Sequence, residues 1–199
     1  VKKKVVVLAI DDGPHLREDL YHNGPKCRIR IPLVGVVCKG LQLIHVGKTD
    51  VEVDGLDSTE KIIELYQRCP FKLEIRLIMI DSPTVAAFNI VDPFRIHQET
   101  GVPVLLLPDS RPRGSIVDVY SKVFPDRNSQ IEILQNLPPL DQLELEIHSD
   151  PNIKGSIYFH VIGAKKEDIA PVLIHLAEYS LVPEPLRLAH LLASGELVQ

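Results

Sequence analysis

The sequence predicts an α/β protein: a mixed sheet whose first three strands are antiparallel, followed by parallel crossovers and flanked by helices. Three observations predict it. The run Val5-Val6-Val7-Leu8-Ala9-Ile10 is continuously apolar and mostly β-branched, the pattern of a central strand buried on both faces. Short links with turn residues join the next apolar runs, as in antiparallel hairpins. Beyond residue 57, strand-like runs alternate with stretches of helical spacing, which implies parallel crossovers.

Taken in order, the first strand ends at Asp11-Asp12-Gly13-Pro14, and residues 15–30 read as a polar loop with a turn at Asn23-Gly24-Pro25. Ile31 to Cys38 is the second strand, with Pro32 near its start, where a missing N–H is tolerated. After the Lys39-Gly40 turn, Leu41 to Val46 forms the third, continuing past Gly47-Lys48-Thr49 into Val51 to Val53. Asp57-Ser58-Thr59-Glu60 has capping-box spacing, and Ile62, Ile63, Leu65, Tyr66 and Cys69 define the apolar face of the helix it opens. That helix ends at Cys69-Pro70, and Phe71 to Ile80 is the fourth strand.

Between Val85 and Thr100 lies a helix from Pro93 through His97, closed by Gly101, and Val102 to Leu107 is the fifth strand. Ser115 to Phe124 is helical, and Asn128 to Gln135 adds a turn or two. Leu143 to Ile147 alternates like an edge strand, and Ile157 to Ile162 is one more strand. Helices over about 166–179 and 186–194 complete a single domain spanning 1–199. The order β-β-β-α-β-α-β at the start is the ribonuclease H-like one.

Composition narrows the function classes. No apolar run approaches the ~20 residues of a membrane span, and no cleavable leader follows the basic start, so a cytoplasmic location is expected. The three cysteines, Cys27, Cys38 and Cys69, form neither a disulfide framework nor a zinc pattern. Net charge is −5, but residues 1–50 hold nine Lys/Arg against five Asp/Glu. Arg17, Lys26, Arg28 and Arg30 in that basic quarter are candidates for phosphate contact, although a solvated face gives the same count. With no Trp and only five Phe and five Tyr, a broad base-stacking platform is not available. No P-loop or dinucleotide fingerprint occurs, and Ser82 and Ser110 lack a nucleophile elbow.

The acids carry the chemistry. Leu77-Ile78-Met79-Ile80-Asp81-Ser82-Pro83-Thr84 repeats the plan of the first strand: an apolar run ending in a carboxylate. A charge at a buried strand end is costly unless it is paired or binds metal. Strand C-termini gather at one sheet edge, so Asp11 and Asp81, with Asp57 as a third acid, predict an all-oxygen site for Mg²⁺ or Mn²⁺ that serves catalysis. Asp12, Asp54, Glu60 and Ser82 are supporting or alternative members. Each acid also has a local reading: Asp57 as a helix cap, and Asp12-Gly13, Asp54-Gly55 and Asp81-Ser82-Pro83 as turns.

Five segments resemble the archaeal endonuclease dU family, itself related to endonuclease V. They are residues 9–14, 32–37, 53–57, 81–86 (Asp-Ser-Pro-Thr-Val-Ala) and 90–93 (Ile-Val-Asp-Pro). The stretch Tyr179 to His190 is similar to the Leu-Pro-Glu-Pro-x-Arg stretch of endonuclease V, and Arg95 to Val102 to its helix and strand after the second metal Asp. The resemblance implies metal binding by Asp11 and Asp81, with Asp57 the best match for a third ligand and Glu60 and Asp54 its rivals. It implies a metal-dependent DNA-repair endonuclease for deaminated bases, deoxyuridine by the family name. The departures bear on base reading. Asp54-Gly55-Leu56 replaces the strand-separating motif, Ser82-Pro83-Thr84 replaces Gly-His-Gly, Asp109 replaces a Lys, and Gly163-Ala164-Lys165 replaces Gly-His-Arg. They leave open a non-catalytic nucleic-acid- or partner-binding protein on the same scaffold, and no 2′-hydroxyl reader separates DNA from RNA.

Overall fold

A computed structural model describes residues 4–13, 29–108, 114–147 and 149–195. Strand β1 (Val6–Asp12) pairs antiparallel with β2 (Arg30–Lys39), which pairs antiparallel with β3 (Gln42–Glu52). Helix α1 (Ser58–Arg68) crosses over to β4 (Ile75–Ile80), parallel to β1 with Ile10 opposite Ile80. A small hairpin, β5 (Thr84–Val85) and β6 (Asn89–Ile90), precedes α2 (Pro93–Thr100), which leads to β7 (Val104–Leu106), parallel to β4. Helices α3 (Ile116–Val123) and α4 (Asn128–Gln135) follow, then β8 (Asp141–Glu146) and β9 (Lys154–Ile162). Helices α5 (Lys166–Leu176) and α6 (Glu184–Ser194) end the chain. The main sheet has the order β3-β2-β1-β4-β7-β9-β8, the mixed arrangement expected from the sequence.

The alternation of strand side chains divides the core into two layers. Val6, Leu8 and Ile10 pack with Ile62, Leu65 and Ile96 on the α1–α2 face. Val7 and Ala9 pack with Leu173, Leu186, Ala189 and Ala193 on the α5–α6 face. Strand β1 is therefore buried on both sides, which is why its sequence is a continuous apolar run and not an alternating one. Strand β4 repeats this parity, with Ile78 and Ile80 on the first face and Leu77 and Met79 on the second.

Several boundaries differ from the sequence expectation. Strand β3 runs unbroken through Gly47-Lys48-Thr49, whose backbone groups pair with β2. Strand β4 begins at Ile75, because Lys72 and Glu74 donate back to Cys69 and Phe71 in turns and Leu73 is 82% exposed. Helix α5 stops at Leu176, short of Tyr179. The β5–β6 hairpin is not expected at all: its strands are two residues long and its turn holds Ala86 and Ala87 at positive φ, where glycine is the usual signal.

Candidate active site

Parity places the first acid. Asp11 follows Val7 and Ala9 onto the α6 face, where it is 4% exposed. Its Oδ1 accepts the Asp12 N–H at 2.8 Å, and its Oδ2 lies 2.9 Å from His190 Nδ1, on α6. Burial, and then the nearby charge of Asp12, push the Asp11 carboxyl up to about 6; the Asp12 N–H and His190 pull the other way and do not cancel the effect. An ionised carboxylate only accepts, so the bond to Asp11 puts the imidazole proton on Nδ1 and leaves Nε2 as the second functional nitrogen. The His190 side chain is 64% exposed.

Asp81 follows Ile80 and donates its N–H to Ile10 C=O at 3.4 Å, across the parallel pair. It lines a small cleft of about 60 Å³ with Leu107, Pro108, Tyr158 and Leu186. That is the α6 side of the sheet, so Asp11 and Asp81 share one face and one edge, at the C-terminal ends of neighbouring strands.

The other sequence-predicted residues lie elsewhere. Asp12 has the opposite parity, and its Oδ2 accepts the Ala86 N–H of the β5–β6 turn. Asp54 (φ 54°) donates its N–H to Ala86 C=O and accepts the Phe88 N–H on Oδ1, each at 3.0 Å. Asp57 stands at the N-cap of α1 without making a side-chain cap bond. Its Oδ1 accepts Asn89 Nδ2 at 2.8 Å and the Glu52 N–H at 3.2 Å, and its Oδ2 pairs with Arg30 at 2.9 Å. Burial raises its pKa, but these donors and the Arg30 charge outweigh burial and hold the carboxyl below the usual range.

Glu60 turns away to an ion pair with Arg95 on α2. Ser82 caps a local turn, its Oγ accepting the Thr84 N–H at 3.2 Å. Arg17, Lys26 and Arg28 lie outside the described residues. Among the described residues no three His, Cys, Asp or Glu side chains come close enough together to hold a metal ion, so Asp57 does not join Asp11 and Asp81 in this structure.

Two participants were not singled out from sequence. His190 was part of a motif stretch with no role of its own, although the absence of a histidine at Gly163-Ala164-Lys165 left room for an imidazole from another element. Asn89, wholly buried, joins three segments: Nδ2 reaches Asp57 and Glu52 C=O, and Oδ1 accepts the Ser58 N–H at 3.1 Å. Gly55 makes this packing possible, since a Cβ there would sit 2.7 Å from Glu52 Cβ and 2.9 Å from Asn89 Nδ2.

The order of this mixed sheet, antiparallel over its first three strands and then parallel, is that of a ribonuclease H-like fold, and it brings Asp11 and Asp81 to one edge. Solved structures share the fold. A protein of unknown function from Archaeoglobus fulgidus superposes with a TM-score of 0.80 at 24% identity, covering 98% of this chain and 100% of that one. Endonuclease V of Ciona intestinalis, in complex with a 24mer DNA containing an inosine followed by a ribo-adenosine, gives 0.61 at 12% identity over 99% of this chain and 87% of that one. The human endonuclease V gives 0.56 at 13% identity, covering 98% and 85%.

The chain belongs to the Endonuclease dU family, whose model matches residues 3–196, and this membership places it among nucleases. A UPF0215 protein of Thermococcus gammatolerans is 35% identical over 197 residues, covering 98% of this chain and 93% of the relative. Another, of Methanopyrus kandleri, is 34% identical over 198 residues, covering 98% and 92%.

Proposed function

We propose that this chain is a metal-dependent endonuclease that cleaves phosphodiester bonds in DNA containing deaminated bases, deoxyuridine in the first place, and that it acts in DNA repair. The observation that carries this reading is the buried Asp11 carboxylate beside Asp81 at the strand ends, with an imidazole bonded to it. A buried acid pushed up to about 6 by burial is a group that gains from a cation. The donor set of the pair is oxygen only. Mg²⁺ is commonly held by one or two carboxylates, with waters and substrate phosphates completing its shell. Asp11 and Asp81 therefore fit Mg²⁺ or Mn²⁺ and are the residues proposed to hold it.

Such an ion, when bound, lowers the pKa of water and offsets the charge that builds on the phosphate. The protein supplies the rest. Asp11 fixes the tautomer of His190 by holding its Nδ1 proton. The imidazole can then take or give a proton through Nε2 next to the scissile phosphate. The low exposure of Asp11 keeps bulk water from weakening its field.

Deoxyuridine as the damaged base rests on the family's name, and DNA as the substrate on the endonuclease V–DNA likeness in fold. Titration of Mn²⁺ into wild type and Asp81→Ala by calorimetry tests the metal part. Wild type should bind and the variant should lose most of that affinity. Equal affinity in the two would remove Asp81 from the site.

A further inference from the structure

Asp57 is saturated in a way that suits an anchor better than a ligand. Three donors already serve its two oxygens: Asn89 Nδ2 at 2.8 Å, the Glu52 N–H at 3.2 Å and Arg30 Nη2 at 2.9 Å. A cation bound at Asp57 would have to displace the guanidinium or sit beside it, and like charges at that range repel. The carboxylate is also locked from behind. Asn89 is wholly buried, and its Oδ1 and Nδ2 are tied to the Ser58 N–H and Glu52 C=O as well.

Arg30 is the exposed end of this chain of contacts. Its Nη2 donates to Asp57 and to Asp50 C=O, and among the described residues its Nε and Nη1 make no hydrogen bond. Its side chain is 42% exposed. Its place in the fold is set by register. Strand β2 runs opposite to β1, so its first residues lie at the edge where β1 ends; Leu33 faces Asp12 and Arg30 lies three residues beyond. At ~3.3 Å per residue, Arg30 projects about 10 Å past the end of β1, on the flank of the carboxylate pair. A guanidinium with one nitrogen anchored and two others available, its rotamer set by a carboxylate, is well prepared to bind a phosphate.

We propose that Asp57 is a positioning residue that holds Arg30 as a backbone-phosphate grip beside the Asp11–Asp81 pair, serving the nucleic acid and not the metal. This rests on the nuclease reading above. The test is a salt series of binding to a fluorescein-labelled duplex containing one deoxyuridine, measured by anisotropy in EDTA. Wild type, Arg30→Gln, Asp57→Asn, Asp57→Ala and the Arg30→Gln/Asp57→Asn pair are compared. Calorimetric titration of Mn²⁺ into wild type and Asp57→Asn runs alongside.

Loss of one phosphate contact lowers the slope of log affinity against log salt by about one. Arg30→Gln and each Asp57 variant should show that loss, and the double variant should bind no more weakly than Arg30→Gln, because both changes remove one contact. Mn²⁺ affinity in Asp57→Asn should stay within about twofold of wild type, a readout that misplacing Arg30 does not move and loss of a metal ligand does. An unchanged salt slope in both Asp57 variants, or a fall of about tenfold or more in Mn²⁺ affinity, would overturn the assignment. Wild type that binds DNA but no Mn²⁺ would sink the metal reading alone, and the salt slopes would still decide the role of Asp57.

Discussion

Asp11→Asn should make the metal-free protein more stable at neutral pH while destroying its site. In wild type the carboxyl is pushed from its ordinary 3.8 up to about 6, chiefly by burial. A raised pKa means that the folded state holds the proton more tightly than the unfolded chain. The associated stability is fully present below pH 3.8 and is lost as pH rises through about 6. Two units correspond to about 3 kcal/mol at pH 8. The amide keeps the shape of the side chain and can still accept the Asp12 N–H, but it weakens the bond to His190, at a cost of roughly 1 kcal/mol. The net gain is roughly 2 kcal/mol, which for a chain of this length raises Tm by about 4–8 °C. Melts of wild type and Asp11→Asn in EDTA, followed by circular dichroism at pH 8 and at pH 4, measure it. The gain should appear at pH 8 and shrink toward zero at pH 4. A variant that melts at or below the wild-type temperature at pH 8, or gains equally at both pH values, would refute the reasoning, because Asp11 would then be well compensated in the metal-free fold.

Two further predictions follow from neighbouring residues. His190→Ala removes a side chain that is 64% exposed, so urea unfolding should shift by no more than about 1 kcal/mol, whereas cleavage should slow by about 10²-fold or more; equal losses in both would make His190 structural. Ala87 has φ 68° in the β5–β6 turn, and Ala87→Gly should raise stability by roughly 1 kcal/mol in the same unfolding assay, with Mn²⁺ affinity unchanged; destabilisation would mean that the turn is not strained there.

The parts of this protein that were legible in its sequence are those with local causes. Strand β1 is apolar from Val6 to Ile10 because both of its faces are covered, and the run stops at Asp11, a carboxylate that is itself buried at the strand end. The same plan at Asp81 marks a second strand that ends in a carboxylate, and the crossover helix before it implies a parallel strand; that its partner is β1 is seen only in the fold. The face of α1 was read correctly from Ile62, Ile63, Leu65 and Tyr66. Its capping box was not, because the carboxylate of Asp57 finds stronger partners in Arg30 and Asn89 than in its own first turn.

What stayed hidden depends on contacts distant in sequence. His190 meets Asp11 across 179 residues, and no periodicity in either segment announces that meeting. Asn89 reaches Asp57 across 32 residues from a hairpin whose turn has no glycine. Asp54-Gly55-Leu56 lies in this same neighbourhood. There Gly55 lets Asn89 pack against Glu52, a contact that no local pattern in either segment signals.

The most direct test of the central claim is cleavage of an end-labelled duplex containing one deoxyuridine by wild type, Asp11→Asn and Asp81→Asn, each in Mg²⁺ and in EDTA. If the Asp11–Asp81 pair is the catalytic centre of a metal-dependent nuclease, wild type cuts in Mg²⁺ and not in EDTA, and each variant is slower by about 10³-fold or more. Full cutting in EDTA, wild-type rates in either variant, or no cutting by wild type in Mg²⁺ would contradict it.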